Sequence, residues 1–209
     1  MDKGNKQLLK FIGCIAFASA LAYGVVANGG VDKTVDDVKK IWEPDNKLVI
    51  FVKSMENYPL LMGRVTMEEY DDVGHTAKGY GTRSYLITVD TETEASRVMK
   101  EMLKEANWFI DRYVKVPLKQ HERDALVSLV YNIGPTRFRH SDALKYLNAG
   151  DIENFLVQAF DHKRGFVRVR NKIHSGLVAR RALESNIFQN GDEMGFYWIN
   201  LNPSGHLSD

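Results

Sequence analysis

Residues 120–134 read QHERDALVSLVYNIG, and the spacing of their apolar side chains predicts an amphipathic helix. These side chains recur at the three- and four-residue intervals of one helix face: Ala125, Leu126, Leu129, Val130 and Ile133. Gly134 and Pro135 follow directly, and this pair is typical of a helix end. The segment therefore predicts one well-defined helix that stops at Gly134.

Helical patterns flank this segment on both sides. Upstream, residues 91–94 (TETE) fit a capping box, and apolar side chains then recur every three or four positions. Downstream, Ser141 and Asp151 are candidate N-caps of two shorter helices, and a last helix is predicted over about residues 177–188. The second half of the chain is therefore predicted to be mainly helical.

The first half predicts a helix followed by a small sheet. Apolar spacing favours helix over residues 31–57, broken in two by Pro44 and ended by Asn57, which tolerates the left-handed conformation. Between residues 58 and 90, glycines separate short β-prone runs, as in a small sheet with tight turns. We therefore predict an α+β fold with a small β lobe, a larger helical lobe and a cleft between them.

Residues 1–33 differ from the rest of the chain in charge. Residues 11–30 contain no charged side chain, and three lysines precede them. A helix of that length would cross a bilayer core of about 30 Å, with the lysines on the cytoplasmic side. Three interpretations are open: an uncleaved transmembrane signal-anchor, a signal peptide cleaved at a small-x-small site within residues 18–22, and a buried core helix.

The composition excludes several classes of protein. The 209 residues carry 28 Lys and Arg against 27 Asp and Glu, a net charge of +1, so there is no global basic footprint for nucleic acid. The single cysteine, Cys14, excludes an internal disulfide framework and a Cys-rich metal site. The sequence has no glycine-rich phosphate loop, and its six histidines show no metal-ligand spacing. We therefore expect neither a cofactor nor a metal.

Carboxylates remain as the groups that could carry chemistry. Glu56 stands at the end of an apolar helix, and Asp71 and Asp72 stand in a predicted turn of the β lobe. Glycoside hydrolysis uses two acids across a cleft, because one carboxyl must stay protonated to donate to the leaving oxygen while the other stays ionised. Helix-end and turn carboxylates are also common as solvated surface charges, and that interpretation stays open.

Several stretches resemble the phage-type lysozymes, glycoside hydrolase family 24. Residues 120–134 are similar to a helix motif of that family, and residues 147–151 (LNAGD) and 176–184 (GLVARRALE) resemble two later motifs. Residues 70–82 (YDDVGHTAKGYGT) resemble its β-lobe signature. The resemblance covers about residues 48–188 and implies a lysozyme-like fold.

The resemblance also implies an activity: a lysozyme that hydrolyses the β-1,4 bond between N-acetylmuramic acid and N-acetylglucosamine in peptidoglycan. Glu56 would be the general acid, and Asp71 or Asp72 would position or activate water with the hydroxyl of Thr76. Thr76 precedes by one residue the family's threonine position, where this chain has Ala77. The alternatives are a non-catalytic peptidoglycan-binding relative and a lytic transglycosylase that uses Glu56 alone.

The choice between the two aspartates follows from one missing residue. The segment between Tyr70 and Gly74 is one residue shorter than in the family, so counting forward from Tyr70 selects Asp72 and counting back from Gly74 selects Asp71. A threonine moved by one position along a strand would also change its face. The sequence therefore leaves both aspartates as candidates.

Three further residues are expected at the cleft from the resemblance. Asn132, Arg180 and Arg181 would line or brace it and contribute to substrate binding, and one of the arginines would pair with Glu56. In the other interpretation, Asn132 caps a helix end and the arginines form a solvated face.

The N-terminal segment resembles a device of some endolysins in this family, a Gly- and Ala-rich signal-arrest-release segment that is exported uncleaved and later leaves the bilayer. The expected organisation is a signal-anchor at residues 1–33, a catalytic domain at 34–190 with its β lobe at about 58–90, and a tail at 191–209. The expected partners are peptidoglycan, the inner membrane through residues 11–30, the host secretion machinery and a phage holin or pinholin. We expect a monomer that faces the periplasm from the host inner membrane and is then released.

Overall fold

The computed structural model describes residues 42–61, 63, 70–72, 75–83 and 89–191. The predicted signal-anchor at residues 1–33 lies outside the described residues, and so does the predicted tail at 191–209 apart from Gly191. Among the helices of the described part, none is both long and apolar enough to cross a membrane.

The described part of the chain contains helices and two small antiparallel sheets. The helices are α1 (Asn46–Leu61), α2 (Glu92–Tyr113), α3 (Gln120–Ile133), α4 (Pro135–Arg139), α5 (Asp142–Asn148), α6 (Ile152–Phe160) and α7 (Ser175–Asn190). The first sheet has the order β1 (Tyr70–Asp72), β2 (His75–Lys78) and β3 (Thr82–Arg83), and the second pairs β4 (Arg168–Val169) with β5 (Lys172–Ile173). The predicted α+β class, a helical body with a small sheet, is confirmed.

The segment at residues 120–134 forms α3, which lies in the core. Its side chains from Asp124 to Val130 are all buried, and α3 packs against both α2 and α7. Burying apolar side chains such as Leu126 and Leu129 contributes about 1.5–3 kcal/mol each. The helix that the opening sequence predicts therefore organises the helical body.

Three helix starts follow the predicted capping chemistry. Thr91 Oγ1 accepts a hydrogen bond from the Glu94 amide at 3.2 Å, and Glu94 Oε2 accepts one from the Thr91 amide at 3.2 Å. Ser141 caps α5, and Asp151 caps α6, through side-chain oxygens that accept bonds from backbone amides three residues later. Each such cap is worth about 1 kcal/mol, which helps to fix where these helices begin.

The predicted end of the first helical segment at Asn57 is confirmed, but the left-handed backbone predicted there is wrong. Asn57 is extended rather than left-handed, with φ −155° and ψ 77°, and α1 resumes after this kink and continues to Leu61. The physical reason lies in the side chain of Asn57: its Oδ1 accepts from the Leu60 amide at 3.1 Å, and its Nδ2 donates to the Gly79 carbonyl at 3.1 Å. Asn57 therefore restarts the helix and ties it to the turn between β2 and β3, and residues 58–61 of the expected β lobe are helical.

Two further features differ from the sequence expectations. Gly134 does end α3, but Pro135 begins another helix, α4, because the fixed φ of proline suits the first helical position. The β4–β5 hairpin was not predicted, and its two turn residues, Arg170 and Asn171, have positive φ angles of 47° and 66°.

The turn after β2 is anchored to both α1 and α2. Tyr80 is fully buried, and its hydroxyl donates to Glu92 Oε1 at 2.9 Å, while Lys53 Nζ lies 2.7 Å from the same oxygen. Burial favours the neutral form of Glu92, but hydrogen bonds from Lys53, Ser96 and Tyr80 outweigh it and lower the pKa of Glu92 to about 2. The turn is thereby held against the middle of α1 and the first residue of α2.

Candidate active site

Glu56 lies where α1 meets the first sheet. It is the last residue before the kink at Asn57, and its side chain is 16% exposed. The bond from Asn57 to the Gly79 carbonyl brings the turn between β2 and β3 beside it. The carboxyl of Glu56 is therefore partly enclosed but still open to a ligand.

Gly81 approaches the Glu56 carboxyl so closely that a side chain there would require the carboxyl or the turn to shift by a few tenths of an ångström. A Cβ atom at Gly81 would lie 3.1 Å from Glu56 Oε2 and 3.8 Å from the Tyr131 hydroxyl, and Gly81 has a φ of +82°. Tyr131 on α3 donates from its hydroxyl to the Tyr80 carbonyl at 2.5 Å. Sheet, α1 and α3 thus converge around one carboxylate.

Arg180 on α7 forms an ion pair with Glu56. Its Nη1 donates to Glu56 Oε1 at 2.5 Å, although the two residues are 124 positions apart. The Arg180 side chain is 4% exposed, and burial acts to lower the pKa of its guanidinium. The carboxylates of Glu56 and Glu184 outweigh burial and hold the pKa of Arg180 above its ordinary value, so this arginine stays charged.

Glu184 is the second carboxylate on Arg180, and it is fully buried. Its Oε1 accepts from Arg180 Nε at 3.0 Å, from Ser128 Oγ at 2.6 Å and from Arg181 Nη2 at 3.0 Å. These donors satisfy an otherwise costly buried charge. Glu184 therefore links the arginines of α7 to each other and to α3.

Arg181 completes the cluster through contacts with Asn132 and Glu184. Its Nη2 donates to Asn132 Oδ1 at 3.1 Å, and its Nε lies 2.8 Å from Glu184 Oε2 without hydrogen-bond alignment. Burial lowers the pKa of Arg181 to about 10, with the Glu184 carboxylate opposing this, so the guanidinium is charged at neutral pH. Within the described part of the chain, Arg181 Nη1 has no hydrogen-bond partner.

The predicted pairing of an arginine with Glu56 is confirmed, and Arg180 makes it. The alternative of a solvated arginine face is wrong, because Arg180 and Arg181 are both buried. Asn132 braces Arg181. Glu184 was missed, although its spacing of three and four residues from the two arginines is the spacing at which helix side chains pair.

The other predicted site residues lie in the β1–β2 hairpin. The register pairs Asp71 with Thr76, Asp72 with His75 and Tyr70 with Ala77. Their side chains lie outside what the structure describes, so the hairpin is defined here by its backbone. Because opposite residues of a ladder share a face, Asp71 and Thr76 belong to one face and Asp72 to the other.

A mostly helical body with a small sheet is the architecture of a lysozyme-like fold, and Glu56 and Arg180 pair where the two parts meet. The endolysin from Escherichia coli O157:H7 phage FAHEc1 has this fold: the TM-score is 0.56 at 28% identity, over 72% of this chain and 98% of that one. The family model described as phage lysozyme matches residues 63–184, more than half of the chain. The chain belongs to the phage lysozyme family.

Curated relatives agree with this assignment. The chain is 32% identical to an endolysin of Acyrthosiphon pisum secondary endosymbiont phage 1, over 56% of this chain and 81% of that protein. It is 34% identical to a SAR-endolysin of Escherichia phage Mu, over 56% of this chain and 63% of that protein. Glu56 precedes the residues matched by the family model, so its role is argued from the geometry of the site.

Proposed function

We propose that this chain is a muramidase-type endolysin that hydrolyses the β-1,4 bond between N-acetylmuramic acid and N-acetylglucosamine in peptidoglycan. The observation that carries the proposal is the partly exposed Glu56 carboxyl, held by the buried Arg180 at the junction of the sheet and the helical body. In this reaction, Glu56 is the general acid: its protonated form donates to the glycosidic oxygen as the bond to the sugar breaks.

The second carboxylate comes from the β1–β2 hairpin. The register supports Asp71 as the partner of Thr76, because these two residues share a face of the hairpin. The Asp71 carboxylate and the Thr76 hydroxyl then hold and activate the attacking water. Asp72 is the alternative carboxylate, on the face of His75.

Two matched variants separate these assignments. Asp71→Asn and Asp72→Asn remove one charge each from adjacent positions of β1, and thermal unfolding of both variants controls for effects on folding. We expect the rate of peptidoglycan clearing to fall by about 10² or more for Asp71→Asn and to change little for Asp72→Asn. If Asp72→Asn instead loses activity and Asp71→Asn does not, Asp72 is the second carboxylate.

The chemical products test the reaction itself. The purified chain is incubated with peptidoglycan, and the soluble fragments are analysed by mass spectrometry before and after borohydride reduction. Reducing N-acetylmuramic acid ends support hydrolysis. Anhydro ends would instead identify a lytic transglycosylase, and binding to peptidoglycan without fragments would identify a non-catalytic relative.

We further propose that residues 11–30 act as a signal-arrest-release segment, which would tether the enzyme to the host inner membrane until lysis at the end of the phage cycle. The support is the charge-free stretch behind three lysines, together with the similarity to a SAR-endolysin of phage Mu. The secretion machinery would export the chain, and a holin or pinholin would trigger its release into the periplasm as a monomer. Asn132 would line the cleft, and the buried Arg180 and Arg181 would brace it from within the helical body.

The tether has its own test, which is independent of the reaction. Residues 34–209 are fused to a cleavable signal peptide and compared with the full chain in the same cells. Immediate lysis by the fusion and delayed lysis by the full chain support the tether. A fusion that is exported and folded but lyses cells no earlier than the full chain contradicts it.

A further inference from the structure

Four charged side chains, the proposed acid among them, form one charge-balanced cluster. Glu56 and Glu184 contribute two carboxylates, and Arg180 and Arg181 contribute two guanidinium groups. Arg180 is shared, with Nη1 on Glu56 and Nε on Glu184. Three of the four side chains are at most 4% exposed, so water screens their interactions poorly.

We propose that Glu184 is a positioning residue of the reaction, which acts through Arg180 to keep the catalytic proton on Glu56. This inference rests on the proposed role of Glu56 as general acid. A general acid must hold its proton until the glycosidic oxygen takes it, yet a neighbouring guanidinium favours the ionised carboxylate. Glu184 compensates for Arg180: when Glu56 is protonated, the remaining cluster carries one net positive charge, and without Glu184 it would carry two.

The groups around Glu56 support a role for charge rather than for hydrogen bonding alone. On α7 the charged groups are Arg180, Arg181 and Glu184, and on α4 Arg137 adds a weaker repulsion on Arg181. The side chains that α3 contributes are neutral: Ser128, Tyr131 and Asn132. The backbone at Gly81 lies beside the other oxygen of the Glu56 carboxyl, and the β1 aspartates are unchanged in every variant below.

The test is the pH dependence of kcat/KM for peptidoglycan clearing. In Glu184→Gln the alkaline limb of the profile is expected to move by about one pH unit to lower pH, because Arg180 then acts on Glu56 uncompensated. In Arg181→Gln, which removes a positive charge instead, the limb is expected to move to higher pH. Shifts of the alkaline limb in opposite directions in the two variants indicate charge compensation. A purely structural role of Glu184 and Arg181 would lower the rate in both variants without moving the limb.

Two further variants control for folding. Ser128→Ala removes a 2.6 Å hydrogen bond to Glu184 but no charge, so its alkaline limb should coincide with that of the wild type. The double variant Glu184→Gln/Arg181→Gln restores the charge balance and avoids a buried unpaired arginine, so it should fold even if Glu184→Gln does not, and its limb should return toward the wild type.

The outcomes separate this inference from the proposed function. If Glu56→Gln keeps wild-type activity, the proposed general acid is wrong. If Glu56→Gln is inactive and the limb of Glu184→Gln coincides with that of the wild type, the role of Glu184 alone is overturned. If Glu184→Gln fails to fold, the test falls to Arg181→Gln. An alkaline limb of its kcat/KM profile that coincides with that of the wild type would also overturn the proposed role of Glu184.

Discussion

Replacing Gly81 by alanine tests how tightly the sheet holds the proposed acid. The new Cβ would lie 3.1 Å from Glu56 Oε2, closer than ordinary van der Waals contact. The carboxyl cannot simply swing away, because its other oxygen is bound by Arg180 at 2.5 Å. We therefore expect Gly81→Ala to displace Glu56 from Arg180 or to push the turn outward.

Two effects of this substitution can be separated in magnitude. A residue with a side chain at a φ of +82° costs about 1–2 kcal/mol of stability, whatever the surrounding space. A displacement of the acid by a fraction of an ångström should in addition lower the clearing rate by about tenfold, since a misplacement of about 1 Å can cost about 10²-fold. Thermal unfolding measures the first effect, and the initial rate of peptidoglycan clearing measures the second.

Gly150→Ala is the matched control for this experiment. Gly150 has a φ of +74°, and a Cβ there would meet nothing within 4 Å. It should lose similar stability to Gly81→Ala while keeping wild-type activity. A fully active Gly81→Ala, or an equal loss of activity in Gly150→Ala, would refute the argument that close contact at Gly81 fixes Glu56.

Two further predictions concern stability. Burial raises the pKa of Asp124 to about 6, so the folded chain binds this proton more tightly than the unfolded chain, and the contribution of Asp124 to stability falls as the pH rises from about 4 through 6. Asp124→Asn should therefore raise the free energy of unfolding by about 3 kcal/mol at pH 8 and change it little at pH 4. Urea titrations that give equal effects at both pH values would contradict this. Tyr131→Phe leaves the Tyr80 carbonyl without its 2.5 Å bond and should cost about 1–2 kcal/mol in thermal unfolding, and an unchanged melting temperature would show that this bond contributes nothing.

The helical body could be predicted well from the sequence because its determinants are local. The caps at Thr91, Ser141 and Asp151 act over three residues, and the structure has all of them. The kink at Asn57 could not be predicted in the same way. Its bond from the Leu60 amide is as local as those caps, but the bond that ties Asn57 to the Gly79 carbonyl spans 22 positions of the chain.

The candidate site shows the same division between local and long-range interactions. The pairing of Glu56 with an arginine was expected only from family resemblance, because its partners are 124 residues apart. Glu184 looks like part of a solvated charged face in the sequence, and only its burial between Ser128 and the arginines shows otherwise. The β4–β5 turn was missed because Arg170 and Asn171 include no glycine at the positive φ angles that such turns need.

Glu56→Gln tests the central claim most directly. The amide has nearly the shape of the carboxyl but cannot donate a catalytic proton in the same way, so the rate of reducing-end formation on peptidoglycan should fall by about 10³-fold or more. Circular dichroism and thermal unfolding should show that the fold is kept. A folded Glu56→Gln that forms reducing ends at the wild-type rate would contradict the account, because the carboxyl held by Arg180 would then not be the acid.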